Sequence, residues 1–140
     1  MSLTDNFQIK LVRPTADEFL ALREKLGWQS IAVSAAEMSL TNSLFHVTIY
    51  HDVELVAMGR IVGDGVMYFY IQDVVVDPAY QSLGVGAALM TQIESYLSTA
   101  ATKGSTIGLL AAQGKEAFYA RYGYVERPNT ALGHGMCKFV

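Results

Sequence analysis

A glycine-rich turn near the middle of the chain, Gln81-Ser82-Leu83-Gly84-Val85-Gly86, has the composition of a phosphate-binding loop. An apolar run typical of a strand precedes the turn, and an amphipathic run typical of a helix follows it. A glycine turn that opens a helix directs several backbone N–H groups toward one point, where the positive end of the helix dipole also lies. The sequence therefore predicts a seat for a phosphorylated cofactor.

The spacing of the glycines differs from that of the two commonest nucleotide-binding loops. A dinucleotide fingerprint needs a third glycine, which would fall at Leu89, and it follows the first strand of a βαβ unit. A P-loop needs Gly-Lys-Ser or Gly-Lys-Thr, and neither occurs in the chain. We therefore disfavour a nicotinamide-binding fold and exclude a P-loop.

The elements that must position this turn can be read along the chain. Alternating apolar residues predict a first strand from Phe7 to Arg13, ended by Pro14. Thr15 and Glu18 have the spacing of a capping box, which predicts a helix that Gly27 ends. The further predicted elements are a short helix around 35–38, strands at 44–50, 54–62 and 67–76, a helix from 85 that fades near 99–103, a strand at 106–112, a helix at 115–122 and strands at 124–127 and 136–140.

This order combines an antiparallel first half with one strand–helix–strand crossover. Short polar or glycine turns separate the strands of the first half, as in a meander. The crossover from 67 to 112 makes its two strands parallel. We predict an α+β fold with a central, mostly antiparallel twisted sheet, helices on both faces and one parallel β-α-β crossover. Strand alternation would place Tyr68, Tyr70 and Gln72 on one face of the sheet and Phe69 with Asp73 on the other.

Size and charge limit the class of protein. The 140 residues suffice for one domain with a hydrophobic core and are too few for two ordinary ones, so we expect a single domain over 1–140. A net charge of −3 and a pI near 5.5 argue against nucleic acid as a partner. The chain has no apolar run long enough to span a membrane and no signal-peptide pattern, which predicts a cytoplasmic protein without a membrane partner.

Several residues that could carry chemistry have simpler interpretations. Cys137 is the only cysteine and has apolar neighbours, which predicts a buried small side chain. The three histidines lack the spacing of metal ligands, so we predict no metal site. Arg60 could hold an anionic substrate group, but a solvated position is the expectation.

Three segments carry a resemblance to a known family. The run Asp73–Gln81, followed by the remainder of Gln-x-x-Gly-x-Gly, resembles the acetyl-CoA signature of the GNAT family, the GCN5-related N-acetyltransferases. Gly59–Gly65 resembles the turn after the family's third strand. Ala117–Tyr124 resembles its Phe-Tyr-x-x-x-Gly-Phe helix end, with Tyr124 in place of the last Phe. The motif-specific part of the resemblance runs from about Gly59 to Pro128, and the order of elements agrees over nearly the whole chain.

The resemblance implies how acetyl-CoA would bind as co-substrate. In this family the strand that carries the Asp-Val-Val-Val segment splays away from the next strand, and its free backbone groups bind the amide-rich pantetheine arm. The pyrophosphate then sits on the N–H groups of the glycine turn. The implied cofactor-binding residues are Val74, Val75, Val76, Gln81, Ser82, Leu83, Gly84, Val85, Gly86, Ala87 and Phe118.

The resemblance also implies the reaction. A neutral amine attacks the acetyl thioester directly while both substrates are bound, and a backbone N–H of Val74 or Val75 stabilises the oxyanion. Tyr119 matches the tyrosine that protonates the departing thiolate in many relatives, although it could also be a core aromatic. Some relatives have a glutamate before the Asp-Val-Val-Val segment, where this chain has Gln72. Asp73 is then one candidate base and, alternatively, a structural residue at a sheet bulge; His46, His51 and a water chain are the others.

Two functions of different class remain open. The first is an N-acetyltransferase that acts on a primary amine of a small molecule or peptide. The second is a non-catalytic acyl-CoA binding or sensing domain, which Gln72 keeps in consideration and Tyr119 disfavours. The acceptor contacts are expected from about Trp28–Ser43 and Pro128–Gly135, whose patterns predict no specificity. Relatives of this size commonly dimerise, so a homodimer is an open alternative.

Overall fold

The computed structural model describes residues 6–140, and its elements follow the predicted order as far as the fifth strand. By backbone contacts these residues form two compact units, one ending at Gly108 and one comprising 109–140. The elements are β1 (Phe7–Lys10), α1 (Ala16–Lys25), α2 (Val33–Thr41), β2 (Phe45–His51), β3 (Glu54–Gly63), β4 (Tyr68–Val76), a 3₁₀ turn (Pro78–Tyr80), α3 (Val85–Ala100), β5 (Thr106–Gly108) and α4 (Glu116–Ala120). In this part of the chain no helix is long and apolar enough to cross a membrane.

The first unit is built on a five-stranded sheet in the order β1-β2-β3-β4-β5. The first four strands form an antiparallel meander, and α3 connects β4 to β5, which pair in parallel. The predicted α+β architecture with one parallel crossover is therefore confirmed. β5 is shorter than predicted, because it ends at Gly108 rather than at Ala112.

The signals at the two ends of α1 are confirmed in detail. The Thr15 hydroxyl accepts from the Glu18 N–H at 3.1 Å, and the Glu18 carboxylate accepts from the Thr15 N–H at 2.9 Å. Gly27 follows the helix with φ of +74°, a conformation that L side chains rarely adopt. The last turn carries Arg23 and Lys25, which suit the negative end of the helix dipole.

Helices cover both faces of the sheet. On one face, α1 and α2 pack over β3 and β4 through the buried residues Phe19, Leu22, Ala36, Leu40, Leu55, Met58 and Val75. On the other face, α3 lies close to β3 at Gly59. A Cβ at Gly59 would lie only 3.0 Å from Cδ1 of Ile93, so glycine permits this close approach. The predicted two-sided packing is therefore confirmed.

A β-bulge interrupts β4 and corrects the predicted alternation. Met58 pairs with Val75 and Arg60 with Gln72, so Gly59 alone faces two residues, Asp73 and Val74. Asp73 has φ of +55°. Its carboxylate contacts Arg60, the cross-strand partner of Gln72, so Asp73 lies on the face of Gln72. The prediction that Asp73 shares a face with Phe69 was wrong, because the extra residue at the bulge shifts the alternation.

The second unit, 109–140, departs most from the predicted elements. It contains α4 and no β-strand, so the strands predicted at 124–127 and 136–140 were wrong. Met136, Phe139 and Cys137 are exposed, and the prediction of a buried Cys137 was wrong for the same reason. Apolar, β-prone residues form a strand only where a neighbouring strand and a core face receive them, and neither is provided within this unit.

Candidate functional site

The glycine turn forms an open helix N-terminus. Ser82 and Gly84 both adopt positive φ values, +67° and +84°, and Gly84 is the N-cap of α3. No side chain caps the helix, and the first helical hydrogen bond is that of the Ala88 N–H to the Gly84 carbonyl. Among residues 6–140 no acceptor is found for the N–H groups of Val85, Gly86 and Ala87. Three amide donors at the positive end of a 16-residue helix can hold an anion such as a phosphate.

The segment that leads into the turn is held by hydrogen bonds. The Gln81 side-chain amide donates to the Val76 carbonyl at 3.2 Å. The Tyr80 phenol lies 3.2 Å from Nδ1 of His51 at the end of β2. Both contacts fix the turn against the sheet, so Gln81 acts on the shape of the loop in this structure.

The second half of β4 has an open edge. β4 pairs with β5 only at Tyr68–Tyr70, and among the described residues no strand pairs with β4 on that side after Tyr70. The Val75 side chain is buried in the core cluster, and Val74 lies near Gly59. The groups of Val74–Val76 that could contact a ligand along this edge are therefore mainly backbone amides, as an amide-rich arm requires.

Asp73 lies in a buried cluster of charges beside this edge. Its Oδ1 accepts from Nη1 of Arg23 at 2.9 Å and its Oδ2 from Nε of Arg60 at 2.8 Å. The Asp73 side chain is 1% exposed, against 18% and 11% for the two arginines. Each carboxylate oxygen already accepts a charge-assisted hydrogen bond from an arginine, so both oxygens are engaged within the cluster.

The two arginines are fixed by further contacts. Nη1 of Arg60 donates to the Ser39 carbonyl and to the Ser43 hydroxyl, both at 3.0 Å. The guanidinium of Arg23 lies 5.0 Å from the Trp28 ring centroid. The expectation of a solvated Arg60 was wrong, because this side chain pairs with Asp73 instead. One sequence signal could have indicated the pair. Arg60 and Asp73 are single charges of opposite sign in two apolar runs, 54–62 and 67–76, that the predicted meander makes neighbouring strands.

The histidines make specific contacts of their own. Nε2 of His46 lies 2.9 Å from the Leu40 carbonyl and must carry its proton to donate there. Burial lowers the pKa of His46, and the nearby charges of Arg60 and Arg13 lower it further, which outweighs the Leu40 hydrogen bond. His46 is therefore neutral near pH 7. Residues 6–140 hold no group of three or more histidine, cysteine, aspartate or glutamate side chains arranged for a metal ion.

Tyr119 lies on α4, in the second unit. Its ring meets that of Phe118 edge-on, with centroids 5.1 Å apart. Burial raises the pKa of Tyr119, so the phenol stays protonated at neutral pH and is available as a proton donor. The aromatic contacts with Phe118 also fit a structural role, so the predicted role as an acid stays a prediction.

Comparison with known proteins gives a consistent result. Residues 18–139 match the family model described as the acetyltransferase (GNAT) domain. The chain is 31% identical over 116 residues to an uncharacterized ycf52-like N-acetyltransferase of Prochlorococcus marinus, covering 79% of this chain and 63% of that protein. It is 36% identical over 78 residues to a chloroplastic serotonin N-acetyltransferase of Oryza sativa, covering 56% of this chain and 38% of that protein.

A solved structure agrees with these sequence comparisons. A protein of unknown function from meticillin-resistant Staphylococcus aureus, described as a probable acetyltransferase, superposes with a TM-score of 0.86 at 29% identity. The match covers 95% of this chain and 99% of that one. The chain spans less than two thirds of the two curated relatives and nearly all of this solved structure.

Proposed function

The chain belongs to the GNAT family of acetyltransferases, and we propose that it transfers the acetyl group of acetyl-CoA to a primary amine of a small molecule or peptide. One observation carries the proposal. The free N–H groups of Val85, Gly86 and Ala87 come after the open-edged half of β4, and only the 3₁₀ turn and the glycine turn separate the two. A ligand with a pyrophosphate and an amide-rich arm, as in CoA, fits this combination.

The proposed binding mode uses backbone groups almost throughout. The pyrophosphate would accept from the N–H groups of about 83–87, and the pantetheine amides would pair with Val74–Val76 as a neighbouring strand does. A Cβ on Gly84 or Gly86 would stand between the backbone and the phosphates. Such a site depends on loop conformation, which explains the need for two positive φ values at Ser82 and Gly84.

The proposed reaction is a direct transfer within a ternary complex. The nitrogen of a neutral amine attacks the thioester carbonyl, and the oxyanion that forms is stabilised by a backbone N–H of Val74 or Val75. The C–N bond is retained as the C–S bond breaks. The CoA thiolate takes a proton from the phenol of Tyr119, and the nitrogen loses one proton to solvent or to a base.

We propose that Asp73 has a positioning role in this reaction. Its two oxygens are engaged by Arg23 and Arg60, so its contacts are with the cluster that holds the bulge. Gln72, beside it, cannot accept a proton usefully. His46, His51 and a water chain remain the candidates for the base, and an amine that arrives neutral needs none.

Two measurements test the proposal. Calorimetry should show binding of acetyl-CoA and CoA and weaker binding of NAD; no heat with either CoA species would refute the CoA site. Thiol release from acetyl-CoA should then be followed with a panel of amines that includes serotonin, polyamines and peptides with a free N-terminus. CoA binding without thiol release for any amine would favour the acyl-CoA binding domain, the alternative that Gln72 supports.

A further inference from the structure

The last turn of α1 holds the β4 bulge and the start of the phosphate loop through two ion pairs. Arg23 pairs with Asp73, and Lys25, two positions later, pairs with Asp77, four positions after Asp73. The three residues between the two aspartates, Val74–Val76, are those whose backbone would contact the cofactor. Neither pair can be read from local sequence, since they join positions 50 and 52 residues apart.

At the start of the segment 73–77, Arg23 holds the bulge at Asp73. Asp73 occupies φ of +55°, which costs free energy for a residue other than glycine and persists only where neighbouring contacts enforce it. Arg23 supplies one such contact, and Arg23 itself is held by the Trp28 ring and by the Gln29 carbonyl, 3.4 Å from Nη2. The bulge sets the direction of the next amides, including that of Val74.

At the end of the segment 73–77, Lys25 holds Asp77, which precedes the phosphate loop. Nζ of Lys25 lies 2.8 Å from Oδ2 of Asp77, while Oδ1 accepts from the Ala79 N–H at 3.0 Å and caps the 3₁₀ turn. Burial alone would raise the pKa of Asp77, but the hydrogen bonds from Lys25 and Ala79 lower it overall. Asp77 is therefore ionised, and it contacts both α1, through Lys25, and the 3₁₀ turn, through the Ala79 N–H.

We infer that Arg23 and Lys25 form a clamp that sets the spacing and orientation of 73–77, and that both are positioning residues for acetyl-CoA. The inference rests on the proposed function. Small displacements of this segment would matter because a misplacement of about 1 Å can cost on the order of 100-fold in rate. Neither residue needs to touch the cofactor.

Lys25 provides the sharper probe. Its side chain is 44% exposed, whereas that of its partner Asp77 is 7% exposed, so removing the lysine charge leaves a buried carboxylate with one partner fewer. In Lys25→Gln we therefore expect a lower urea midpoint together with a roughly tenfold fall in CoA affinity and kcat, and Lys25→Arg should restore all three. Arg23→Gln should have a larger effect on kcat than on the KM for acetyl-CoA.

Thr15→Ala is the matched control, because it weakens the same helix from its other end without touching 73–77. The control should lower the urea midpoint and leave CoA affinity unchanged. CoA affinity and kcat in Lys25→Gln equal to those of the original chain would overturn the clamp, as would a loss in Thr15→Ala as large as that in Lys25→Gln. If the original chain itself fails to bind CoA, the proposed function fails, and this outcome is distinct from a failure of the clamp alone.

Discussion

Nε of Arg60 lies 2.8 Å from Oδ2 of Asp73, in an ion pair whose two side chains are 11% and 1% exposed. The pair joins β3 to β4 at the bulge, where the regular ladder of hydrogen bonds is interrupted. A buried pair of this kind adds little net stability compared with an apolar pair, but it makes the loss of either partner costly. The cluster therefore fixes the position and conformation of the bulge and adds little to the overall stability of the sheet.

Asp73→Asn should strongly destabilise the protein. The substitution leaves Arg23 and Arg60 buried without a carboxylate, and we expect the free energy of unfolding to fall by about 3 kcal/mol. Asp52→Asn is a matched control, because Asp52 has the same φ of +55° but its side chain is 69% exposed. Urea unfolding at pH 7 should show a change within about 0.5 kcal/mol for the control. Asparagine tolerates a positive φ as well as aspartate does, so equal effects of the two substitutions would contradict a stabilising role of the buried charges at Asp73.

Tyr119→Phe should reduce turnover and leave cofactor binding unchanged. The phenyl ring keeps the contact with Phe118 but has no proton for the departing thiolate, and we expect kcat to fall by about 100-fold. Tyr122→Phe, in which a second ring that contacts Phe118 loses its hydroxyl, is the control and should keep full activity. Undiminished kcat in Tyr119→Phe would remove the acid assignment.

Gly86→Val should weaken CoA binding without unfolding the chain. Gly86 lies in the first turn of α3, where a side chain fits a helix but would occupy the space of the phosphates. We expect a roughly tenfold rise in the Kd for CoA by calorimetry. Ser95→Val places the same residue at an exposed position of α3, two turns further along the helix, and should bind CoA normally. Unchanged affinity in Gly86→Val would count against the phosphate seat.

His46 should make stability depend on pH. Burial, with the charges of Arg60 and Arg13, holds its pKa below the ordinary 6.5, so the unfolded chain binds the proton more readily than the folded protein. The free energy of unfolding is then highest above pH 6.5 and falls as the pH drops toward the lower pKa of the folded state. Urea unfolding at pH 7 and pH 5 should show a smaller loss in His46→Gln than in the original chain. His134→Gln, at an exposed position, should retain the full loss.

The sequence predicted features that are encoded locally. The capping box of Thr15 and Glu18, the turn at Gly84 and the meander all depend on residues within a few positions of each other, and the structure contains each of them. The charged cluster could not be derived in this way, because Arg23 and Asp73 meet only once the sheet and α1 have assembled. The strand predicted at 136–140 failed for a related reason, since β propensity cannot supply a neighbouring strand.

The bulge at Asp73 reverses, along β4, the alternation of side chains between the two faces of the sheet. Before it, the odd-numbered Phe69 lies near Tyr96 of α3; after it, the odd-numbered Val75 packs with α1 and the even-numbered Val74 turns toward Gly59. Deleting one residue here would move the side chains of Val74 and Val75 to the opposite faces of the sheet, each of which is covered by a different helix. An alignment of relatives that ran through this strand without allowing for the extra residue would therefore compare a residue that faces α1 in one protein with a residue that faces α3 in another.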